Sequence, residues 1–329
     1  MRKFISSFAS ELEGLLSYRE ALGFSRNSYE EVLFNFDGYV ATNFSDCEIL
    51  CKETVIAWID LQLAKSRTGN ASLKATVIRT FGKYLAALGK ESYILPDGYV
   101  TAPKTGFMPY LFTDEEMTRL FRAIDRISGQ ASTHDVDSLY TKIPSVLFRL
   151  IYICGLRPNE GRELFRNDID FKTGEIIVTR TKRKKERLVV MSDDMLGLCR
   201  KYDYVREQSG IESEYFFPRH DGLAYTSPQL EKTFKRCWQA ANPNVSAEKL
   251  PSIRVYDLRH LFASTVLNNW LDEEQNLYNK LPYLRAYMGH DKISETIHYI
   301  HILPEKIKKS AGIDWETFES LIPGIRLGV

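Results

Sequence analysis

Apolar residues recur at helical spacing through the N-terminal third of the chain. Phe8, Leu12, Leu15, Leu16 and Leu22 keep that period, and Ser25–Ser28 offers capping groups before a second stretch with Val32, Leu33, Phe36 and Tyr39. A third stretch carries Val55, Ile56, Ile59 and Leu63. A fourth begins after Gly69-Asn70 and runs to about Leu88, with Leu73, Val77, Phe81, Leu85 and Leu88 as its apolar face. Four short helices with short connections predict a small bundle over residues 1–102. Residues 103–112 hold Pro103, Gly106 and Pro109 without periodicity and read as a linker. Thr113 followed by Asp114, Glu115 and Glu116 is a helix start with acidic residues in its first turn, so a second domain is expected over residues 113–329.

Within that domain, Pro144–Cys154 is an apolar helix ended by Gly155, and Pro158 suits the first position of the next helix. The β-branched runs Ile176–Thr179 and Leu188–Met191 read as two strands, with Thr181–Arg187 at the tip between them. Helical patterning returns after Ser192. The fold class is mainly α, of the α+β kind: a helical N-terminal domain, then a mixed α/β domain with a small antiparallel sheet.

Composition narrows the classes. The hydrophobic fraction of 44% and charged fraction of 26% are those of a globular protein. The best apolar run, Ser145–Leu156, is short and broken by Arg149, so no membrane span is expected. Arg2 and Lys3 are followed by Glu11 and Glu13, which does not resemble a signal peptide, and a cytoplasmic location is expected. Five scattered cysteines fit reduced thiols; Cys47 and Cys51 have no matching second pair, so no metal is expected. The net charge of +1 says little about nucleic acid, because an electrostatic footprint is local. Between Lys65 and Lys90 there are six basic residues and no acidic one, and Ser72, Thr76, Arg79 and Lys83 form a stripe. That face is either solvated or laid against DNA, with Lys74, Arg79 and Lys83 as its candidate contacts.

Four clusters carry candidate chemistry. They are Gly155-Leu156-Arg157-Pro158-Asn159-Glu160; the run Thr179–Arg187, with six basic residues in nine; Tyr256-Asp257-Leu258-Arg259-His260; and Met288-Gly289-His290, followed nine residues later by Tyr299. Each alone has a plain explanation: an ion pair, a solvated hairpin tip, a packed histidine, one tyrosine among eighteen. In this order and spacing they resemble the tyrosine recombinase, or phage integrase, family. The matching pieces are GLRxxE at Gly155–Glu160, KxxKER at Lys182–Arg187, the Arg of an HxxR pair at Arg259, and GH followed by Tyr at Gly289, His290 and Tyr299. The likeness extends to the N-terminal helices, which are similar to the family's SAM-like core-binding domain, and to residues 113–329 as its catalytic domain.

The resemblance implies a chemistry that suits these residue types. Tyr299 would attack a DNA phosphodiester, giving a 3′-phosphotyrosyl link and a free 5′-hydroxyl. A phenol with a reference pKa of about 10 needs help to become a nucleophile. Arg157 and Arg259 would clamp the non-bridging oxygens, as guanidinium forks do. Lys182 would protonate the leaving oxygen, its own pKa lowered by neighbouring cations; proximity alone does not prefer it to Lys184 or Lys185. His290 would hydrogen-bond the phosphate and Glu160 would brace the site. Arg180, Arg183 and Lys184 would contact DNA. No metal and no cofactor is called for. Partners would be duplex DNA with inverted-repeat core sites, further copies of the chain forming a tetramer in the synapse, and accessory proteins.

Two features depart from the common pattern. Tyr256 stands where the family usually has His, and it is expected to position the phosphate rather than transfer a proton. The run Leu281–His290 resembles the LPxLxxYxGH run of transposon-associated members, which favours a mobile-element recombinase acting in DNA integration or transposition. At the C-terminus, Ile307, Ile313, Trp315, Phe318 and Leu321 either pack on their own domain or dock on a neighbouring protomer. Alternative readings are a type IB-like topoisomerase, a non-catalytic DNA-binding regulator on the same scaffold, and a metal-dependent nuclease, which would want clustered carboxylates.

Overall fold

The computed structural model describes residues 3–45, 47–65, 68–100, 109–129, 136–179 and 186–302. The chain divides into two compact units, residues 1–107 and 108–329. In the first, four helices form a bundle: α1 (Ala9–Ala21), α2 (Asn27–Asn43), α3 (Lys52–Lys65) and α4 (Thr68–Ala87). Their inward faces carry Leu12, Leu15 and Leu16; Leu33, Phe36 and Val40; Val55, Trp58 and Ile59; and Ala75, Ile78, Phe81 and Leu85. Phe36 meets Trp58 edge-on with ring centroids 5.3 Å apart, the arrangement aromatic quadrupoles favour.

The fourth helix differs in detail from its sequence pattern. Leu73 and Leu88 are 47% and 52% exposed, whereas Ala71, Ala75 and Ile78 are buried in their place. The buried stripe is therefore rotated toward small residues that let the helices approach closely. α2 is also begun otherwise than by a serine cap. Arg26 precedes it, and its guanidinium pairs with Glu13, Glu20 and Glu30 instead of capping.

In the second unit, α5 (Asp114–Gly129) starts at Thr113, whose hydroxyl accepts from the Glu116 N–H at 3.2 Å while the Glu116 carboxylate accepts from the Thr113 N–H at 2.9 Å. α6 (Val136–Cys154) is the core helix, burying Leu139, Ile143, Leu147, Leu150, Ile151 and Cys154. It begins before Pro144, which lies inside it. Proline lacks a backbone N–H, so that turn forgoes one hydrogen bond, and burial on both sides of the turn outweighs the loss. α7 (Pro158–Arg162) follows with proline in its first position.

The two strands β1 (Glu175–Val178) and β2 (Arg187–Val190) pair antiparallel, with Glu175 opposite Val190 and Val178 opposite Arg187. Helices α8 (Asp193–Gln208), α9 (Ser227–Ala241), α10 (Val255–Asp272), α11 (Leu277–Met288) and α12 (Ile293–Ile302) complete the described residues. None of the described helices is long and apolar enough to cross a membrane. The fold is mostly helical with one small two-stranded antiparallel sheet among the described residues.

Candidate active site

Arg157 is positioned by the start of α7. Gly155 ends α6 with φ +59°, a conformation that glycine adopts without strain, and the chain turns there into Leu156 and Arg157. A side-chain methyl at Gly155 would lie 2.4 Å from the Phe262 ring, so the turn is pressed against α10. One turn into α7, Glu160 reaches back and accepts from the Arg157 backbone N–H at 2.8 Å. Its other oxygen accepts from Arg157 Nη1, also at 2.8 Å. Arg157 Nη2 donates to the Gly289 carbonyl at 2.6 Å.

Glu160 holds a second cation. Arg187, first residue of β2, donates to it twice, at 2.9 and 2.6 Å, and gives its Nε proton to the Tyr287 carbonyl at 2.8 Å. Burial would raise the Glu160 carboxyl, but the Arg187 fork and then Arg157 outweigh that and hold it down to about 2. One carboxylate thus ties the hairpin, the α6–α7 turn and the end of α11 together. Gly289 completes this corner with φ +64°; a methyl there would press on Arg187 at 3.2 Å.

Arg259, on the first turns of α10, is fully buried. Its Nη1 donates to the Gly155 carbonyl and its Nη2 to the Met288 carbonyl, each at 2.6 Å. It is held by backbone at both ends of the site, so its place is fixed by the fold rather than by a flexible partner. Its Nη2 also lies 3.1 Å from His290 Nε2. A guanidinium only donates, so Nε2 is the acceptor and the ring proton sits on Nδ1, 2.9 Å from the Thr296 hydroxyl. Burial, with Arg259 and Arg157 adding to it, pushes His290 down to about 3, and the ring is neutral. Both of its nitrogens are engaged. In this arrangement His290 props Arg259.

Tyr299 arrives from α12 and is 3% exposed, packed among Ala263, Leu267, Leu277, Leu284, Met288 and Ile297. Its ring stacks on His290 with centroids 5.8 Å apart and lies 5.3 Å from His260. Burial raises the phenol above its ordinary value; Arg259, which hydrogen-bonds it, and Arg157 pull the other way without overcoming the burial. The cations therefore do not offset burial, and the phenol still needs help to become a nucleophile. Tyr256 hydrogen-bonds Arg157, and its ring lies 4.9 Å from that of His260 at a tilt of 52°. Arg157, Glu160, Tyr256, Arg259, His290 and Tyr299, separated by up to 142 positions in sequence, converge on one spot.

The sequence model of the phage integrase family matches residues 111–306 of this chain. The chain belongs to the phage integrase family. Relatives named integrase/recombinase and tyrosine recombinase match most of its length. A Sinorhizobium fredii protein bearing the name integrase/recombinase y4rB is 26% identical over 93% of this chain and 96% of its own. Tyrosine recombinase XerD of Rhizobium meliloti is 27% identical over 73% of this chain and 72% of its own. Among solved structures, XerH recombinase bound to a palindromic difH substrate superposes with a TM-score of 0.64 at 19% identity, covering 94% of this chain and 85% of its own. The Tn1549 transposon integrase bound to transposon right-end DNA gives 0.62 at 14% identity, covering 94% and 98%. These two likenesses show a shared tyrosine recombinase fold.

Several expected positions fall elsewhere. Lys182, Arg180, Arg183 and Lys184 lie outside the described residues; the two strands that flank them are in place. Arg79 is not a free contact. Its guanidinium donates to the carbonyls of Leu95 and Pro96, each at 2.8 Å, and pairs with Asp97, so it fastens the segment after α4. Lys74 donates to Gln62 at 2.6 Å, and Lys83 is exposed. Sequence reasoning missed Arg187 and His260 as members of the recombinase site. Arg187 was visible only as the end of the basic run, and His260 only as the neighbour of Arg259. Among the described residues, no group of three or more His, Cys, Asp or Glu is arranged to hold a metal.

Proposed function

We propose that this tyrosine recombinase cleaves and rejoins duplex DNA through Tyr299, forming a 3′-phosphotyrosyl link, on behalf of a mobile element. The observation that carries the reading is the convergence of a buried phenol with Arg259 and Arg157, each guanidinium tied to backbone carbonyls. A phosphodiester entering there would meet two fixed positive charges, the arrangement that stabilises a pentacoordinate phosphorus without reorganisation. Arg157, the more exposed of the two, would meet the phosphate first. Arg259 would be uncovered as Tyr299 swings from it toward phosphorus. His290 would keep Arg259 aimed, Glu160 would set the spacing of Arg157 and Arg187, and Tyr256 would orient Arg157. Lys182, in the stretch of sequence between β1 and β2, would protonate the departing 5′-oxygen. Residues 1–102 would act as the core-binding domain, joined by 103–112 to a catalytic domain over 113–329, and would contribute Lys74 and Lys83 to DNA contact along with Arg180, Arg183 and Lys184.

The named neighbours point the same way about partners. XerH was solved on a palindromic DNA site, and lambda integrase as a tetramer on a Holliday junction. This chain would likewise act in the cytoplasm on inverted-repeat core sites as a tetramer, with accessory proteins setting direction. The mobile-element assignment is supported by the run Leu281–His290, which builds α11 and the turn at Gly289, and by the fold shared with a transposon integrase. The test uses a duplex that the protein itself selects from a randomised pool, synthesised with a nick near the bound site. Without added metal, the wild type is expected to form a denaturant-stable protein–DNA adduct, and Tyr299→Phe to bind the duplex and form none. Adducts on many unselected sequences would make it a topoisomerase, and binding without adduct a regulator.

A further inference from the structure

As its oxygen attacks phosphorus, Tyr299 must lose a proton that burial makes harder to remove. The described residues around it offer few acceptors. Arg259 and Arg157 are cations that only donate. Glu160 has both oxygens engaged by Arg157 and Arg187. His290 has its basic nitrogen on Arg259 and its proton on Thr296. Tyr256, at the position where a histidine would have been the obvious base, is a second phenol and a poor one.

The remaining group is His260. It follows Arg259 on α10, is half-buried, and its imidazole lies between the two phenols: 4.9 Å from the Tyr256 ring at 52° and 5.3 Å from the Tyr299 ring at 53°. The proton transfer would require a rotation that brings a ring nitrogen of His260 onto the Tyr299 hydroxyl. Among the described residues its ring meets those of Tyr256 from its own helix and Tyr299 from α12, and it interacts electrostatically with His290 from the turn before α12. The Tyr256 hydroxyl in turn hydrogen-bonds Arg157, so the pair Tyr256–His260 joins the phosphate-binding cation to the nucleophile.

We infer that His260 is the proton acceptor for Tyr299, a catalytic role that rests on Tyr299 being the nucleophile. In cleavage, the bond from Tyr299 Oη to phosphorus forms and the bond from phosphorus to the 5′-oxygen breaks. The phenol proton passes to a ring nitrogen of His260, and the leaving oxygen takes a proton from Lys182. In rejoining, the 5′-hydroxyl gives its proton to Lys182 as it attacks, and His260 returns the other proton to Oη. An imidazole suits both directions because it exchanges protons near neutral pH.

The test follows adduct formation on the selected nicked duplex, with wild type and Tyr299→Phe run first. If the wild type forms no adduct, or Tyr299→Phe still forms it, the nucleophile assignment fails regardless of His260. Given that assignment, His260→Gln is expected to bind the duplex as wild type does and to form adduct at least about 100-fold more slowly, within the usual range for a lost general base. The wild-type rate should rise with pH through the range where an imidazole titrates, and that rise should be missing in the variant. Added imidazole should partly restore His260→Ala. A bridging 5′-phosphorothiolate, whose sulfur leaves without protonation, should restore Lys182→Ala but not His260→Gln. The proposal is overturned by a wild-type rate and pH profile in His260→Gln, by rescue of that variant with the phosphorothiolate, or by a slow variant that keeps the wild-type pH profile and ignores imidazole.

Discussion

Glu160 is a single carboxylate between two guanidiniums, with a third, Arg259 Nη1, at 4.0 Å. Removing it would leave buried positive charges facing one another. Breaking a buried pair in this way costs about 3–5 kcal/mol, so Glu160→Ala is expected to lower the Tm of the second unit markedly in a calorimetric scan. The pH dependence has a definite sign. Glu160 binds its proton less readily folded, at about 2, than unfolded, at 4.5, so its stabilisation is complete above 4.5 and is lost as pH falls toward 2. His290 acts in the same direction over a higher window: at about 3 folded against 6.5 unfolded, it resists a proton that the unfolded chain accepts, and stability falls as pH drops from 6.5 to 3. Acid unfolding should therefore begin below about pH 6.5, and His290→Asn should flatten the upper part of that decline. An unchanged acid profile in His290→Asn would refute its buried neutral state.

Between elements, the site depends on where helices stop. Gly155 and Gly289 both take positive φ, and the carbonyls beside those turns hold Arg259 and Arg157. Gly155→Ala would combine a left-handed conformation with a methyl 2.4 Å from Phe262. The two penalties, roughly 1–2 kcal/mol for the backbone and 1–3 for overpacking, predict a clear loss of stability in urea titrations. Adding Phe262→Leu should recover the packing part and leave the backbone part. In the first unit, α4 separates its basic residues by role. Arg79→Ala is expected to loosen the segment holding Leu95 and Pro96, seen as faster amide exchange there. Lys83→Ala should instead weaken DNA binding and reduce the slope of log affinity against log salt by about one. Equal effects of the two substitutions on that slope would contradict the division.

For the whole molecule, the proposed strand exchange would join strands cut by different copies. The apolar residues near the C-terminus, Ile307, Ile313, Trp315, Phe318 and Leu321, lie outside the described residues. Truncation after Ile302 is expected to leave a soluble monomer by size-exclusion chromatography while abolishing the slower, multi-protomer bands on DNA in a gel-shift assay. Loss of solubility with no change in those bands would assign the segment to its own domain instead.

The order GLRxxE, basic run, Arg259, GH and Tyr299 was legible in the chain as the pattern of a family, to which the chain belongs. The helices were legible for another reason: a helix buries one face, so its apolar residues keep a 3.6-residue period. Periodicity failed where side chains are small. Ala71 and Ala75 pack the interior of α4 while Leu73 faces solvent, because close helix contact favours small residues there. Partnerships across the chain were not legible at all. That Arg187 pairs with Glu160, that Arg79 holds Leu95 and Pro96, that Thr296 fixes the proton on His290, and that His260 lies between two phenols are consequences of chain reversals at Gly155 and Gly289 and of the pairing of β1 with β2. Such contacts are set by distances between residues remote in sequence. The residue types pointed to the chemistry proposed for Tyr299, and only the tertiary structure set the burial that raises its phenol further and the arginines that oppose it.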